Sequence, residues 1–189
     1  MKSHRHRGRE RGVPTCALIV VALAATACSR EIQTPLADEA TQSITADNVI
    51  FGMVSFISTS GIREGRIRAD TAYLYADSAM ADLRQMRIEF FGEDGSTSAT
   101  VTGVTGEWRQ ESNKMVARGD VVLFVHADSS TIESQEIHYD PDADRIWSAS
   151  TTVRTLQDGT VTSGSAFESD MSFENVVIRD MRGGARRVF

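Results

Sequence analysis

Residues 108–168 read WRQESNKMVARGDVVLFVHADSSTIESQEIHYDPDADRIWSASTTVRTLQDGTVTSGSAFE, and the stretch states one pattern twice. Tyr73, Trp108 and Tyr139 each precede an apolar position (Met86, Val121, Val153) by 13 or 14 residues. Each apolar position opens an alternating strand (MRIEFF, VVLFVHAD, VRTLQDG) that runs into a turn rich in Gly, Asp or Ser. A second short strand carries Val101, Ile132 or Val161, and six or seven residues later comes the next aromatic: Trp108, Tyr139, Phe167. A fixed spacing of roughly 30 residues marks stacked supersecondary units. Here it predicts an all-β chain of two-strand rungs, each strand short, from about residue 50 onward.

Outward from that stretch the signals vary in strength. VIFGMVSFIS is apolar and β-branched and makes a first strand; IREGRIRAD follows as a half-exposed one. TAYLYADSAMADLRQM has the Ala, Leu and Met content of a helix, but the register through Tyr73 and Met86 favours strands. EDGSTS, ADSST and LQDGT are turns by composition, and Pro141 in HYDPDADR marks another.

At 189 residues the chain has room for one domain with a core that needs no disulfide. Beyond residue 27 it carries fifteen basic and twenty-five acidic residues, a balance of −10. That argues against a nucleic-acid partner, which needs a basic face. Cys16 and Cys28 flank one apolar run and do not form a disulfide framework.

The N-terminus speaks to compartment. MKSHRHRGRERGVPT is basic and CALIVVALAATA is a 12-residue apolar run, too short to span a membrane but suited to a secretory signal. Ala25-Thr26-Ala27 is a small-residue cleavage site followed directly by Cys28, which resembles a bacterial lipoprotein box with Cys28 as the lipid anchor. Ordinary secretion with an unmodified Cys28 is the other outcome, and the bond cut is the same. Ser29 is the residue type that in some bacteria directs a lipoprotein to the outer membrane, so both membranes stay open at this point.

Alternation sorts the strand faces. Met86, Ile88 and Phe90 share one face of MRIEFF, and Arg87 and Glu89 the other. In VVLFVH both faces are apolar, with Val121, Leu123 and Val125 on one. Val153 heads the corresponding face of its strand, with Arg154 opposite, and Ala117, Ala149 and Ala166 lie nearby. The expected inner face is therefore Met86, Ile88, Phe90, Val121, Leu123, Val125, Ile132, Val153 and Val161. Such a face closes as a dry core or stays open as a groove.

Catalytic chemistry is not legible. His126 and His138 have no partner at a metal-ligand spacing. Asp140, Asp142 and Asp144 lack the Gly and closing Glu of a calcium loop. No serine stands in a GxSxG elbow. The expectation is a binding, transfer or scaffolding protein with no cofactor or metal.

With its lipoprotein-like start and 30-residue rungs, the chain resembles the LptC family of lipopolysaccharide-export proteins over residues 50–184. The strongest part is ARGDVVLFVHADSSTIESQEIHYDPDADRIWSASTTVRTLQDGTVTSGSAFESDMSFENVVIRDMRG. The resemblance implies an open β-jellyroll of two facing antiparallel sheets with a V-shaped section. Its interior would hold the acyl chains of lipopolysaccharide passing from an inner-membrane ABC transporter to a periplasmic bridge protein of the same fold. The expected organisation is a signal peptide (1–27), a lipid-anchored tether (28–48), the β-jellyroll (49–184) and a flexible basic tail (185–189). An end strand of such a roll is a template for edge-to-edge pairing, and Val176, Val177 and Ile178 in SFENVVIRDM form the candidate. The alternatives are the soluble bridge protein itself and a β-rich surface lipoprotein that scaffolds around a closed core.

Overall fold

The computed structural model describes residues 45–186. The signal, the Cys28 anchor and most of the tether lie outside these residues. Twelve antiparallel strands form one sheet: β1 (Asn48–Thr59), β2 (Ile62–Tyr75), β3 (Met80–Phe91), β4 (Thr97–Arg109), β5 (Lys114–Val125), β6 (Ser130–Asp140), β7 (Arg145–Ser148), β8 (Thr152–Thr155), β9 (Thr160–Gly164), β10 (Ala166–Ser169), β11 (Val177–Arg179) and β12 (Arg182–Arg186). The first six form a meander. Several turns along the chain reuse one local device, an aspartate accepting from the backbone amide two residues on, at Asp94–Ser96, Asp128–Ser130 and Asp140–Asp142.

The expected pairs of short strands are instead single long strands, each bent once. IREGRIRAD and TAYLY are the two halves of β2, and MRIEFF is the second half of β3. The bends line up across the sheet. Gly52 and Asp70 are skipped between the pairs Phe51↔Thr71 and Met53↔Ala69. Gln85 (φ 48°), Gly119 (φ 77°) and Asp120 (φ 46°) turn the chain at the same level in β3 and β5. Past β6 the bend becomes a break: β6 pairs with β8 through residues 131–134 and with β7 through 138–140. Extra residues of this kind bend a strand without ending its ladder. Gly, Asp and Gln at these points read as strand ends in the sequence, which is why the halves were separated there.

The bend line divides the sheet into two wings. Wing 1 contains residues 53–59, 62–69, 86–91, 97–102, 121–125 and 130–134 with β8, β9 and β12. Wing 2 contains residues 48–51, 71–75, 80–84, 105–109, 114–118 and 136–140 with β7, β10 and β11. The inner faces of both wings join in one apolar cluster. Far from the bend line the rings of Phe90 (wing 1) and Tyr139 (wing 2) meet at 4.9 Å between centroids. Near the last strands the wings converge on Gly164, where an added Cβ would stand 2.3 Å from the Arg179 carbonyl oxygen. The fold is all-β, an open jellyroll of two antiparallel wings.

Two boundaries differ from expectation. Ala185 and Arg186, placed in a flexible tail, belong to β12 and pair with Val161 and Thr160 of β9. Val176 precedes β11 rather than lying in it, and its side chain is half-buried against the core.

Candidate functional site

The candidate site is the interior between the wings, together with the sheet's two free edges. Met86, Ile88, Phe90, Val121, Leu123, Val125 and Ile132 all point inward and none is more than 3% exposed. Register explains their agreement: Ile88 pairs with Val101, Val101 with Leu123, and Leu123 with Ile132, so one face of wing 1 carries the whole row. These side chains fill the interior. The same residues that would line a groove are packed against the opposite wing.

Val153 and Val161 do not belong to this set. Val153 pairs with Glu133 and Val161 with Thr155, which puts both on the outer face of wing 1. The residue opposite Ile132 is Arg154, expected outside but directed inward. Its guanidinium bonds Asp128 Oδ2 at 2.7 Å across the end of the wing, and Nε is buried without a partner. Burial raises the Asp128 carboxyl, but hydrogen bonds from Ser130 and the charge of Arg154 outweigh it and hold the group below its ordinary value. Parity changes at the β6–β7 turn, where inward Tyr139 pairs with inward Ile146, so the inner positions pass from odd to even. They stay even across residues 149–151, with Ser148, Thr152 and Arg154 all inside. Ala149 lies exposed in that stretch, and Ala166 is half-buried on the outer parity of β10, while Ala117 is inside.

The interior is not uniform along the sheet. Strands β1 to β6 supply aliphatic and aromatic groups, whereas Ser134, Ser148, Thr152 and Ser169 are buried toward the C-terminal end. Ser134 and Ser148 bond each other at 2.8 Å across the bend. Ser169 Oγ and Trp108 Nε1 are buried with no partner. Each lies in the row of wing 2 farthest from the bend, which runs Trp108, Met115, Tyr139, Ile146, Ser169.

Opposite the bend line, the wing rims border a cleft of about 350 Å³ lined by Ile62, Phe90, Phe91, Tyr139, Pro141 and Met171 among others. Its margin is acidic. Burial first, and then the carboxylates of Glu64, Asp140, Asp144 and Asp142, push the Tyr139 hydroxyl well above its usual value, so it stays neutral. The acidic turn that resembled a calcium loop is tied to Lys114, whose Nζ is 2.9 Å from Asp140 and 3.5 Å from Asp142. His138 stacks on Trp147 at 5.1 Å, and His126 sits 3.2 Å from Thr100 Oγ1. Among the described residues no cluster of His, Cys, Asp and Glu is placed to hold a metal ion.

Among the described residues the sheet is free at both ends: at one β1 pairs only with β2, and at the other β11 pairs only with β10 and β12 only with β9. Val177 is exposed on β11, and Ile178 turns inward against Gly164. The other free edge, β1, escaped notice in the sequence although its outer side is the more apolar: Phe51 is 76% and Val54 57% exposed. The legible signal was Gly52, which interrupts alternation in VIFGMVSFIS and puts Phe51, Val54 and Phe56 all outside. Beside them Arg63 covers the Phe56 ring at 4.3 Å, and Arg66 and Arg87 clasp the buried Glu89.

A bent antiparallel sheet with an apolar interior defines a β-jellyroll module. The family model described as "Lipopolysaccharide-assembly, LptC-related" matches residues 16–180, and the chain belongs to that family. Membership gives it a role in lipopolysaccharide transport and a periplasmic place, in a family of transport proteins rather than enzymes. Among solved structures it is similar to LptH of Pseudomonas aeruginosa, described as the LptA-homologous periplasmic component of the conserved lipopolysaccharide transport device. Identity is 18%, over 60% of this chain and 80% of that one, with a TM-score of 0.49, and the likeness adds nothing to the family match. No curated protein matches the sequence. Among the described residues no helix is long and apolar enough to cross a membrane.

Proposed function

We propose that this chain is a membrane-anchored lipopolysaccharide transfer protein of the periplasm. It accepts lipopolysaccharide from an inner-membrane ABC transporter and passes it to a bridge protein of the same fold. The observation that carries this is the apolar interior running across β1 to β6 of a sheet that, among the described residues, has a free edge at each end. A same-fold partner adding a strand at either edge extends both the ladder and the interior, so acyl chains slide from one jellyroll to the next without meeting water. Each CH₂ kept from water is worth about 0.8 kcal/mol, so a continuous apolar path removes most of the cost of moving a lipid between membranes. Cys28 carries the anchor, and residues 28–47 form the tether; the jellyroll occupies 48–186, from β1 to β12. The inward set Met86, Ile88, Phe90, Val121, Leu123, Val125 and Ile132 contacts the chains. Val177 and Ile178 present one docking edge, and Phe51 and Val54 on β1 the other.

The close packing of that same set favours a second reading, a β-rich lipoprotein that docks partners at its edges around a permanently closed core. Photocrosslinking in cells separates the two. A photoreactive residue replaces Ile88 or Leu123 inside, with Arg87 and Val153 as outer-face controls. Lipopolysaccharide adducts at the inner pair alone support transfer. Silence at all four sites in folded protein leaves the closed core.

A further inference from the structure

Beside the cleft at the mouth of the interior, one loop of the chain packs into the core. Residues 170–176 join β10 to β11 beyond the rim of wing 2, where a connecting loop would ordinarily lie in solvent. This one folds back. Phe173 is only 8% exposed and joins the apolar cluster, and Met171 lines the cleft beside Phe90 and Tyr139. Phe173 is buried with its backbone at φ 59°, a left-handed conformation that a bulky side chain rarely takes. A strained aromatic of this kind persists only where its surroundings hold it.

What holds it is a small polar knot. Asp170 accepts from Ser172 Oγ at 2.9 Å, from the Glu174 amide at 3.2 Å and from Asn175 Nδ2. A single hydrogen bond, from the Met171 amide to Asp144 Oδ1 at 3.3 Å, fastens the loop to the rim turn. At its root Ser169 is 2% exposed and points inward, with a hydroxyl that has no partner. A finished protein core pairs such a group. A buried apolar group and a buried hydroxyl without a partner therefore stand four residues apart in this segment of the chain.

We propose that the Asp170–Asn175 loop is an internal stand-in for lipid: Phe173 and Met171 fill the place of the first acyl chain to enter, and they swing out when it arrives. The inference rests on the transfer reading above and adds a subsite and a gate to it. The ligand chemistry is an acyl chain with an ester, amide or hydroxyl group near its head. The acyl segment takes the Phe173 position, and the adjoining carbonyl or hydroxyl bonds Ser169 Oγ. The gate keeps the interior shut to water and to stray lipid until a concentrated donor presents the chain. Release of the strained Phe173 backbone favours opening, and loss of its ring burial opposes it.

The test uses the full chain with a photoreactive phenylalanine analogue in place of Phe91, on the cleft wall, and purified lipopolysaccharide. Phe173→Gly removes the ring and suits the left-handed backbone, and Met171→Ser serves as a second variant should the first not fold. Either variant, folded, is expected to raise adduct yield at least threefold at subsaturating lipid. In the unaltered protein, saturating lipid should speed hydrogen exchange at the amides of residues 171–175 about tenfold or more, while β5 and β6 gain protection. Equal or lower yield in both folded variants overturns the gate, as does an exchange rate in the loop that lipid leaves unchanged. Absence of adducts in parent and variants alike overturns the transfer reading instead, and the gate with it.

Discussion

Replacing Leu123 with alanine tests the inner face against the outer. Leu123 is fully buried, with Val101 and Ile132 as its cross-strand partners. A Leu→Ala change at such a site costs about 2.7–5 kcal/mol, the lost transfer energy plus the cavity left behind. For a chain of this size each kcal/mol lowers Tm by roughly 2–4 °C. Leu123→Ala should therefore melt about 5–20 °C below the parent. Val153→Ala is the comparison. Val153 is half-buried on the outer face opposite Glu133, so it loses the burial of about one methylene, about 0.8 kcal/mol. Urea unfolding followed by circular dichroism gives both numbers: the midpoint should fall several times further for Leu123→Ala, with the slope unchanged for each. Equal midpoint shifts, or a larger one for Val153→Ala, would refute the assignment of inner and outer faces. A pre-formed hollow around Leu123 would also show itself, because truncating a side chain that borders empty space costs much less.

Three further outcomes follow from the same geometry. Burial raises the Glu89 carboxyl, but hydrogen bonds from Arg66 and Arg87 outweigh that and hold it below its ordinary value. Its stabilisation is therefore complete above the unfolded value near pH 4.3 and is lost as pH falls through the lower folded value. Glu89→Gln should be less stable at neutral pH, and the difference should shrink in urea titrations below about pH 4. Gly164→Ala places a Cβ 2.3 Å from a backbone oxygen and should cost about 1–3 kcal/mol, with hydrogen exchange quickening first in Val177–Arg179. Gly103→Ala, whose nearest contact is 3.4 Å, should leave those amides unchanged. Phe51→Ser with Val54→Ser removes exposed apolar surface and should alter stability by under about 0.5 kcal/mol. The double variant should lose co-purification with the proposed ABC transporter partner from detergent extracts; undiminished recovery would remove β1 from the docking surface.

The amino-acid sequence by itself determined the class, the antiparallel rungs and the inward set from Met86 to Ile132. Those residues lie on unbroken half-strands where a side-chain period of two holds and each hairpin turn is written in Asp, Gly and Ser. It also carried the family resemblance that the family match establishes over residues 16–180. Tertiary structure alone decided parity beyond residue 140, because the β6–β7 turn sets Ile146 opposite Tyr139 and so moves the inner positions from odd to even, a step that nothing local counts. Val153 and Val161 went outside and Arg154 inside for that reason. The alignment of the bends, which makes one sheet into two wings, is likewise a relation among distant strands. So is the return of Phe173 into the core: a phenylalanine in a polar loop announces a buried ring, but only the fold supplies the cluster that the ring joins.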